Sequence, residues 1–361
     1  MTRKDTFVVI TLYSTSSINF WPYSRKQKPK QFLDLLGNGR SLLQLTFERS
    51  KGICPEENIF VSVSKEYASL VTEQLPFLSE QQILIEPVRR NSAPCIAYAC
   101  YKIKKKHKNA VVVVCPADHA VFGEIAYVRD VRKGVEIASA NKNSLLILGI
   151  KPHKAETAYG YIQYHHDGSA AVKRVKTFTE KPQQELARLF LESGDFAWNT
   201  KIFVWHVDAI LEAFECYVPE VAETFRDGLD YYYTEEEAQF VFKAYSHCKN
   251  VSISSSILEK ADNVYLILGQ FDWSDLSSWN SLYDVKDKKD QQNITDGNVI
   301  LIESRRCIVK SKGDKLVVVN GLKNYLVIDS EDALLITPKA GSENLKSITN
   351  TVKNSKGDKF I

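Results

Sequence analysis

The chain has 361 residues, enough for one large domain or two ordinary ones, and its 44% hydrophobic and 25% charged content is that of a folded globular protein. The formal net charge is only +3 with no single-sign block, which argues against a general nucleic-acid binder and leaves a small anionic substrate open. No apolar stretch reaches the ~18 residues that a membrane helix needs. The seven cysteines are an odd number at scattered spacings with no C-x-x-C, which reads as free thiols in a reducing compartment. No signal-peptide pattern stands at the start, where Arg3, Lys4 and Asp5 lead into a short strand, so a cytoplasmic protein is expected.

Apolar runs alternate with helical stretches through the first half. Residues 7–10, 59–63, 82–85, 110–115 and 144–150 read as strands, and 93–104 and 125–141 as helices. Strand and helix repeated in this way predict an α/β fold with a mixed, mainly parallel sheet covered on both faces. Residues 159–164 and 171–178 read as an antiparallel pair. Helical patterns follow at 185–193, 207–216 and 218–247, then a strand at 264–268.

Composition shifts near 284–293, where Lys286-Asp287-Lys288-Lys289-Asp290-Gln291-Gln292 reads as a surface linker. Beyond it, five short apolar segments recur about every eight to ten residues with Gly, Asn, Asp or Ser between them, as in a small all-β domain. That spacing fits a sandwich and a solenoid alike. The expected division is therefore residues 1–285 and 286–361, with a partly ordered polar tail from Lys346.

Candidate chemistry sits where strands end. A segment with Arg25, Lys26, Lys28 and Lys30 follows the first strand, in the position where an α/β protein commonly binds phosphate. Asp118, just past the strand at 110–115, is well placed to hold Mg²⁺ against phosphate oxygens, or to serve as a helix N-cap. Asp275 is a second metal carboxylate or a turn residue. Lys181, in Glu180-Lys181-Pro182, meets a phosphate or is solvated. Glu86, Arg89, Arg90 and Asn91 carry groups that match a guanine edge. The aromatics around Asn199 (Trp198, Phe203, Trp205) read as core or as a sugar platform.

These segments together are specific. Phe20-Trp21-Pro22, Ser24-Arg25, Pro29-Lys30-Gln31-Phe32, Glu86-Pro87, Arg90-Asn91, Pro116-Ala117-Asp118-His119, Gly160-Tyr161-Ile162, Glu180-Lys181-Pro182, Trp198-Asn199 and Trp273-Ser274-Asp275-Leu276 occur in order. With them the chain resembles the mannose-1-phosphate guanylyltransferases, or GDP-mannose pyrophosphorylases, from about residue 7 to 339. The resemblance implies a Rossmann-like nucleotidyltransferase domain and a C-terminal left-handed β-helix. It implies that GTP and α-D-mannose 1-phosphate give GDP-mannose and diphosphate, with Mg²⁺ as the cofactor. By position, Asp118 and Asp275 would hold the metal. Lys30, Arg25 and Lys181 would act on the phosphates. Glu86, Arg90, Asn91, Ser92, Pro116 and Asp118 would bind nucleotide, and Tyr159, Gly160, Glu180, Lys181 and Asn199 the sugar phosphate. The resemblance and the edge strands of a β domain also suggest a homodimer.

The chain departs from that family at its opening loop, Ala-Gly-Gly-x-Gly-Ser/Thr-Arg. Here the positions are Tyr13, Ser14, Thr15, Ser16, Ser17, Ile18 and Asn19. Glycines in such a loop let backbone N–H groups approach a triphosphate, and an arginine presents a charged fork that Asn19 lacks. Further family glycines are replaced by Ala158, Lys201, Asp272 and Ser277, which contributes to a total of only 16 glycines where average usage would give about 25. Two expectations follow: a guanylyltransferase of impaired activity, or a pseudoenzyme that binds a nucleotide sugar or a paralogous partner.

Overall fold

The computed structural model describes residues 3–12, 18–166 and 172–361. In chain order the strands are β1 (Thr6–Thr11), β2 (Ile59–Ser64), β3 (Ile83–Glu86), β4 (Val111–Pro116), β5 (Ala120–Phe122), β6 (Leu145–Ile150), β7 (Gly160–Tyr164), β8 (Lys173–Glu180), β9 (Phe196–His206), β10 (Val264–Leu268), β11 (Asp272–Ser274), β12 (Ile294–Asp296), β13 (Val299–Ile302), β14 (Ile308–Lys310), β15 (Val317–Asn320), β16 (Tyr325–Asp329) and β17 (Leu334–Pro338). The helices are α1 (Leu42–Lys51), α2 (Ala68–Gln74), α3 (Ser92–Lys106), α4 (Glu124–Ala140), α5 (Gln184–Ser193), α6 (Val207–Tyr217), α7 (Pro219–Arg226), α8 (Glu237–His247), α9 (Trp279–Val285) and α10 (Leu345–Lys356). Two compact units result. The first comprises Met1–Tyr13, Gln44–Ala117 and Val121–Trp273; the second comprises Ser14–Leu43, Asp118–Ala120 and Ser274–Ile361.

The first unit is built on a nine-stranded mixed sheet in the order β3-β2-β1-β4-β9-β6-β10-β8-β7. Strands β1 to β4 are mutually parallel, and β6 runs parallel to β10. Every residue of β1, β2, β4 and β6 is buried, as continuous apolar runs require when helices cover both faces. Helix α3 is buried from Ala93 to Ile103 because Ala, Cys, Ile and Tyr fill all its sides, and its basic last turn, Lys104–Lys106, suits the helix dipole. The expected antiparallel pair is β7 with β8.

Two elements differ from the sequence expectation. The eleven-residue β9, antiparallel to both β4 and β6, occupies the middle of the sheet. Its polar interruption, Asn199-Thr200-Lys201, hides the strand from a periodicity reading, because a register shift there carries the extra residues as a bulge. The span expected as one helical stretch, 218–247, is α7 and α8 separated by turns at Asp227–Asp230 and beyond.

The second unit contains a solenoid. Strand β12 pairs in parallel with β14, β14 with β16, and β13 with β15, so Val299 lies beside Val317 and Ile308 beside Leu326. Parallel rungs of successive coils exclude the sandwich alternative. Cys307, Val309, Val319 and Val327 fill the interior. Asn293 stitches the first coil: its Nδ2 donates to Ser304 O at 2.8 Å and its Oδ1 accepts from Cys307 N at 2.9 Å. At Gly297, φ is +93°, and a Cβ would lie 2.4 Å from Ser311 O, so this corner admits only glycine. The polar tail is more regular than expected: α10 is amphipathic and buries Leu345 and Thr349. Among the described residues no helix is long and apolar enough to cross a membrane.

Candidate active site

Lys30 organises the chemistry of the second unit. It follows Pro29 into a short 3₁₀ turn that buries Lys30, Gln31 and Phe32. Its Nζ lies 3.0 Å from Asp118 Oδ2, 2.7 Å from Asp275 O and 2.9 Å from Leu276 O. Segments distant in sequence thus meet at one ammonium. The Asp275 carboxylate accepts from Ser277 N at 2.9 Å, and His119 Nε2 lies 3.7 Å from Asp118 Oδ1. Asn19 Nδ2 donates to Ser277 O at 2.8 Å, so the neutral amide is tied to backbone. The signature positions Ser14, Thr15, Ser16 and Ser17, with Tyr13, lie outside the described residues.

Arg25 faces the solenoid. Its Nη2 lies 2.6 Å from Asp332 Oδ1 and 3.4 Å from Ser330 Oγ, its Nε donates to Pro22 O at 2.7 Å, and its guanidinium stands 5.9 Å from the Trp21 ring centre. Trp21 in turn donates Nε1–H to Phe360 O at 2.7 Å.

In the first unit, the nucleotide candidates form a braced loop. Glu86 ends β3 and is buried, accepting from Ser62 Oγ at 2.8 Å. Burial pushes its carboxyl up to about 7, with the Ser62 hydroxyl and the Arg89 guanidinium offsetting part of that rise. Arg90 donates from Nε to Tyr245 O at 3.0 Å and from Nη2 to Ser246 O at 3.2 Å, capping the last turn of α8. Asn91 (φ +67°) caps α3, its Oδ1 accepting from Ser92 N at 2.9 Å. Ser92 Oγ accepts from Ile253 N at 2.9 Å. Pro116 ends β4 opposite Thr11 of β1. The roles of Ser62, Tyr245 and Ser246 carry no local sequence signal, because each partner is separated by a long stretch of chain.

The sugar-phosphate candidates converge where β7 begins, β8 ends and β9 bulges. Gly160 pairs with Glu180 across β7 and β8. A Cβ at Gly160 would lie 2.6 Å from Glu180 Oε2 and 3.5 Å from Asn199 Cβ, so the three residues are close neighbours and glycine is what lets the Glu180 carboxylate approach. Tyr159 packs edge-on against Trp198 at 5.2 Å and Trp273 at 5.0 Å. Lys181 (φ +46°) donates its N–H to Tyr159 O at 3.2 Å. Asn199 is buried, and its Oδ1 accepts from Lys201 N at 2.9 Å. The aromatics that the sequence left open as core or platform are buried: Trp198, Phe203 and Trp205 are core residues.

The chain thus combines a mixed sheet of the nucleotide-binding α/β type with a parallel β-solenoid. Residues 15–292 match the Nucleotidyl transferase family, and the chain belongs to it. Residues 297–351 match the MannoseP isomerase/GMP-like beta-helix domain. The alginate biosynthesis protein AlgA of Pseudomonas syringae pv. tomato is 32% identical over 350 residues, covering 96% of this chain and 71% of that protein. The mannose-1-phosphate guanylyltransferase of Klebsiella pneumoniae is 29% identical over 348 residues, covering 94% of this chain and 72% of that protein. Among solved structures, a protein described as a mannose-1-phosphate geranyltransferase from Thermus thermophilus superposes with a TM-score of 0.86 at 25% identity, covering 97% of this chain and 99% of that one.

Proposed function

We propose that this chain is a mannose-1-phosphate guanylyltransferase of reduced activity, converting GTP and α-D-mannose 1-phosphate to GDP-mannose and diphosphate. The observation that carries this reading is the Lys30 ammonium held jointly by the Asp118 carboxylate and the Asp275 and Leu276 carbonyls. Relatives named for that activity and the gathering of Gly160, Glu180 and Asn199 support it.

The sugar phosphate oxygen attacks the α-phosphorus in line and diphosphate leaves. Catalysis is then a matter of positioning and charge stabilisation, with no covalent intermediate required of the protein. Lys30 is buried with its three N–H donors taken up by Asp118, Asp275 and Leu276, so it supplies positive charge to the phosphates and exchanges one of those partners to touch an oxygen. Lys181 serves the sugar phosphate, and Glu86, Arg90, Asn91 and Ser92 frame the base. Hard carboxylate oxygens at Asp118 and Asp275 fit Mg²⁺, which binds through one or two carboxylates plus substrate phosphates. Those two residues would hold it, and when bound it neutralises phosphate charge.

The reading of reduced activity rests on charge. Asn19 gives its amide to Ser277 O and carries no charge. Losing one donor to the transition state typically costs roughly 10²–10³ in rate. The test is diphosphate release from GTP and mannose 1-phosphate with Mg²⁺. We expect slow but measurable turnover, well below about 1 s⁻¹. Turnover at or above that value would remove the impaired reading. GTP binding without turnover would favour the second reading, a pseudoenzyme, which rests on the same Asn19 contact.

A further inference from the structure

Lys201 stands at an unusual backbone position. Strand β9 carries a bulge against β6: Leu148 pairs with Ile202 and Gly149 with Asn199, so Thr200 and Lys201 are the extra residues. Thr200 is buried and stitches the bulge, donating its Oγ1–H to Leu148 O at 2.6 Å and accepting from Ile202 N at 3.3 Å. Lys201 is thereby held at φ +57°, a left-handed conformation that disfavours any residue with a Cβ. A bulge of this kind re-aims a side chain, and strain is retained where surrounding structure over-determines it.

What the bulge aims is an ammonium. Lys201 Nζ lies 3.9 Å from Glu180 Oε1, and both side chains are about half exposed (44% and 55%) and open to a ligand. Glu180 is followed by Lys181, itself at φ +46°. The Lys201 N–H occupies Asn199 Oδ1, which leaves the Asn199 Nδ2 donors available. The missing Cβ at Gly160 lets the Glu180 carboxylate lie against its backbone, beside Asn199. The Lys201 ammonium, the Glu180 carboxylate and the Asn199 amide therefore gather where β8 ends and β9 bulges. That set suits a polar sugar carrying an anionic group.

We infer that Lys201 is a substrate-binding residue of this group, and that its ammonium engages the phosphate of the sugar 1-phosphate. This rests on the proposed function, since it names a contact to that reaction's second substrate. The carboxylate of Glu180 holds the ammonium in place until the phosphate, with its greater charge, takes it over. A lysine kept only by chance at this position would be strained and would contribute nothing to binding.

The two accounts separate in Lys201→Gly. Glycine relieves the left-handed strain, so the variant should melt higher, by about 1–3 °C for a unit of this size. Calorimetric titration with α-D-mannose 1-phosphate should nevertheless show binding weakened about tenfold or more, the loss expected for one charge-assisted hydrogen bond. Lys201→Arg should keep affinity within about threefold of the parent, because the charge is retained. A glycine variant that binds mannose 1-phosphate as well as the parent, or better, overturns the inference and leaves the proposed reaction standing. If the parent binds GTP but no mannose 1-phosphate, the proposed reaction itself fails and this contact fails with it.

Discussion

The Lys30 ammonium and the Asp118 carboxylate form an ion pair of 3.0 Å with both side chains largely buried, and the Asp275 and Leu276 carbonyls share the same ammonium. A pair so placed contributes modestly while intact and costs a great deal when broken, since the remaining charge is left without its partner. Lys30→Met and Asp118→Asn should each lower stability by about 3 kcal/mol. The double variant should recover only part of that loss, because neither charge remains but the Asp275 and Leu276 carbonyls still lack the Lys30 donor. Diphosphate release should fall at least roughly 10²-fold in all three, since activity needs the charges and stability does not. Melting curves combined with turnover read both effects. Recovery of activity in the double variant would contradict a chemical role for the pair.

Glu86 sets a pH dependence whose sign follows from burial. Its folded carboxyl sits at about 7, above the ordinary 4.5, so the folded chain holds this proton where the unfolded chain has lost it. The associated stability is fully present below about pH 4.5 and is lost as pH rises through about 7, a change on the order of 3 kcal/mol for a buried group. Glu86→Gln cannot ionise and should lack this component. Denaturant titrations at about pH 5 and about pH 8, on either side of the folded value, should show the variant gaining on the parent at the higher pH. An equal pH slope in both proteins would mean that Glu86 ionises freely.

Arg25 separates a structural role from a chemical one. Its Nη2 meets Asp332 and Ser330, and its Nε meets Pro22 O. Arg25→Ala and Asp332→Ala should destabilise the second unit by similar small amounts, about 1 kcal/mol, because Asp332 is partly exposed and the pair is screened. Their effects on turnover should agree within about threefold, as expected when both act through one screened pair. A loss confined to Arg25→Ala would show that the guanidinium reaches phosphate directly.

Much of the fold was legible because burial writes itself into composition. The runs at 7–10, 59–63 and 110–115 are strands covered on both faces, and such strands need continuous apolar sequence. Strand β9 was not legible. Asn199, Thr200 and Lys201 break its pattern, and only the bulge against β6 explains how a strand accommodates them. Asp118 and Lys30 were visible as candidates from motif and strand end. Arg90 was visible too, but its engagement with the Tyr245 and Ser246 carbonyls lies 155 and 156 residues away and has no local trace.

The sequence by itself determined the family, the α/β class of the first part and the repeated short strands of the second, because each follows from local pattern or motif. Tertiary structure alone decided that the short strands stack as parallel coils, through pairings such as Val299 with Val317. It alone decided that Lys30, Asp118 and Asp275 meet at one ammonium, and that Lys201 is bent toward Glu180. Such meetings depend on the closure of long loops. Their cost is offset by burial and hydrogen bonding spread over the whole sheet, and no local stretch of sequence records that sum.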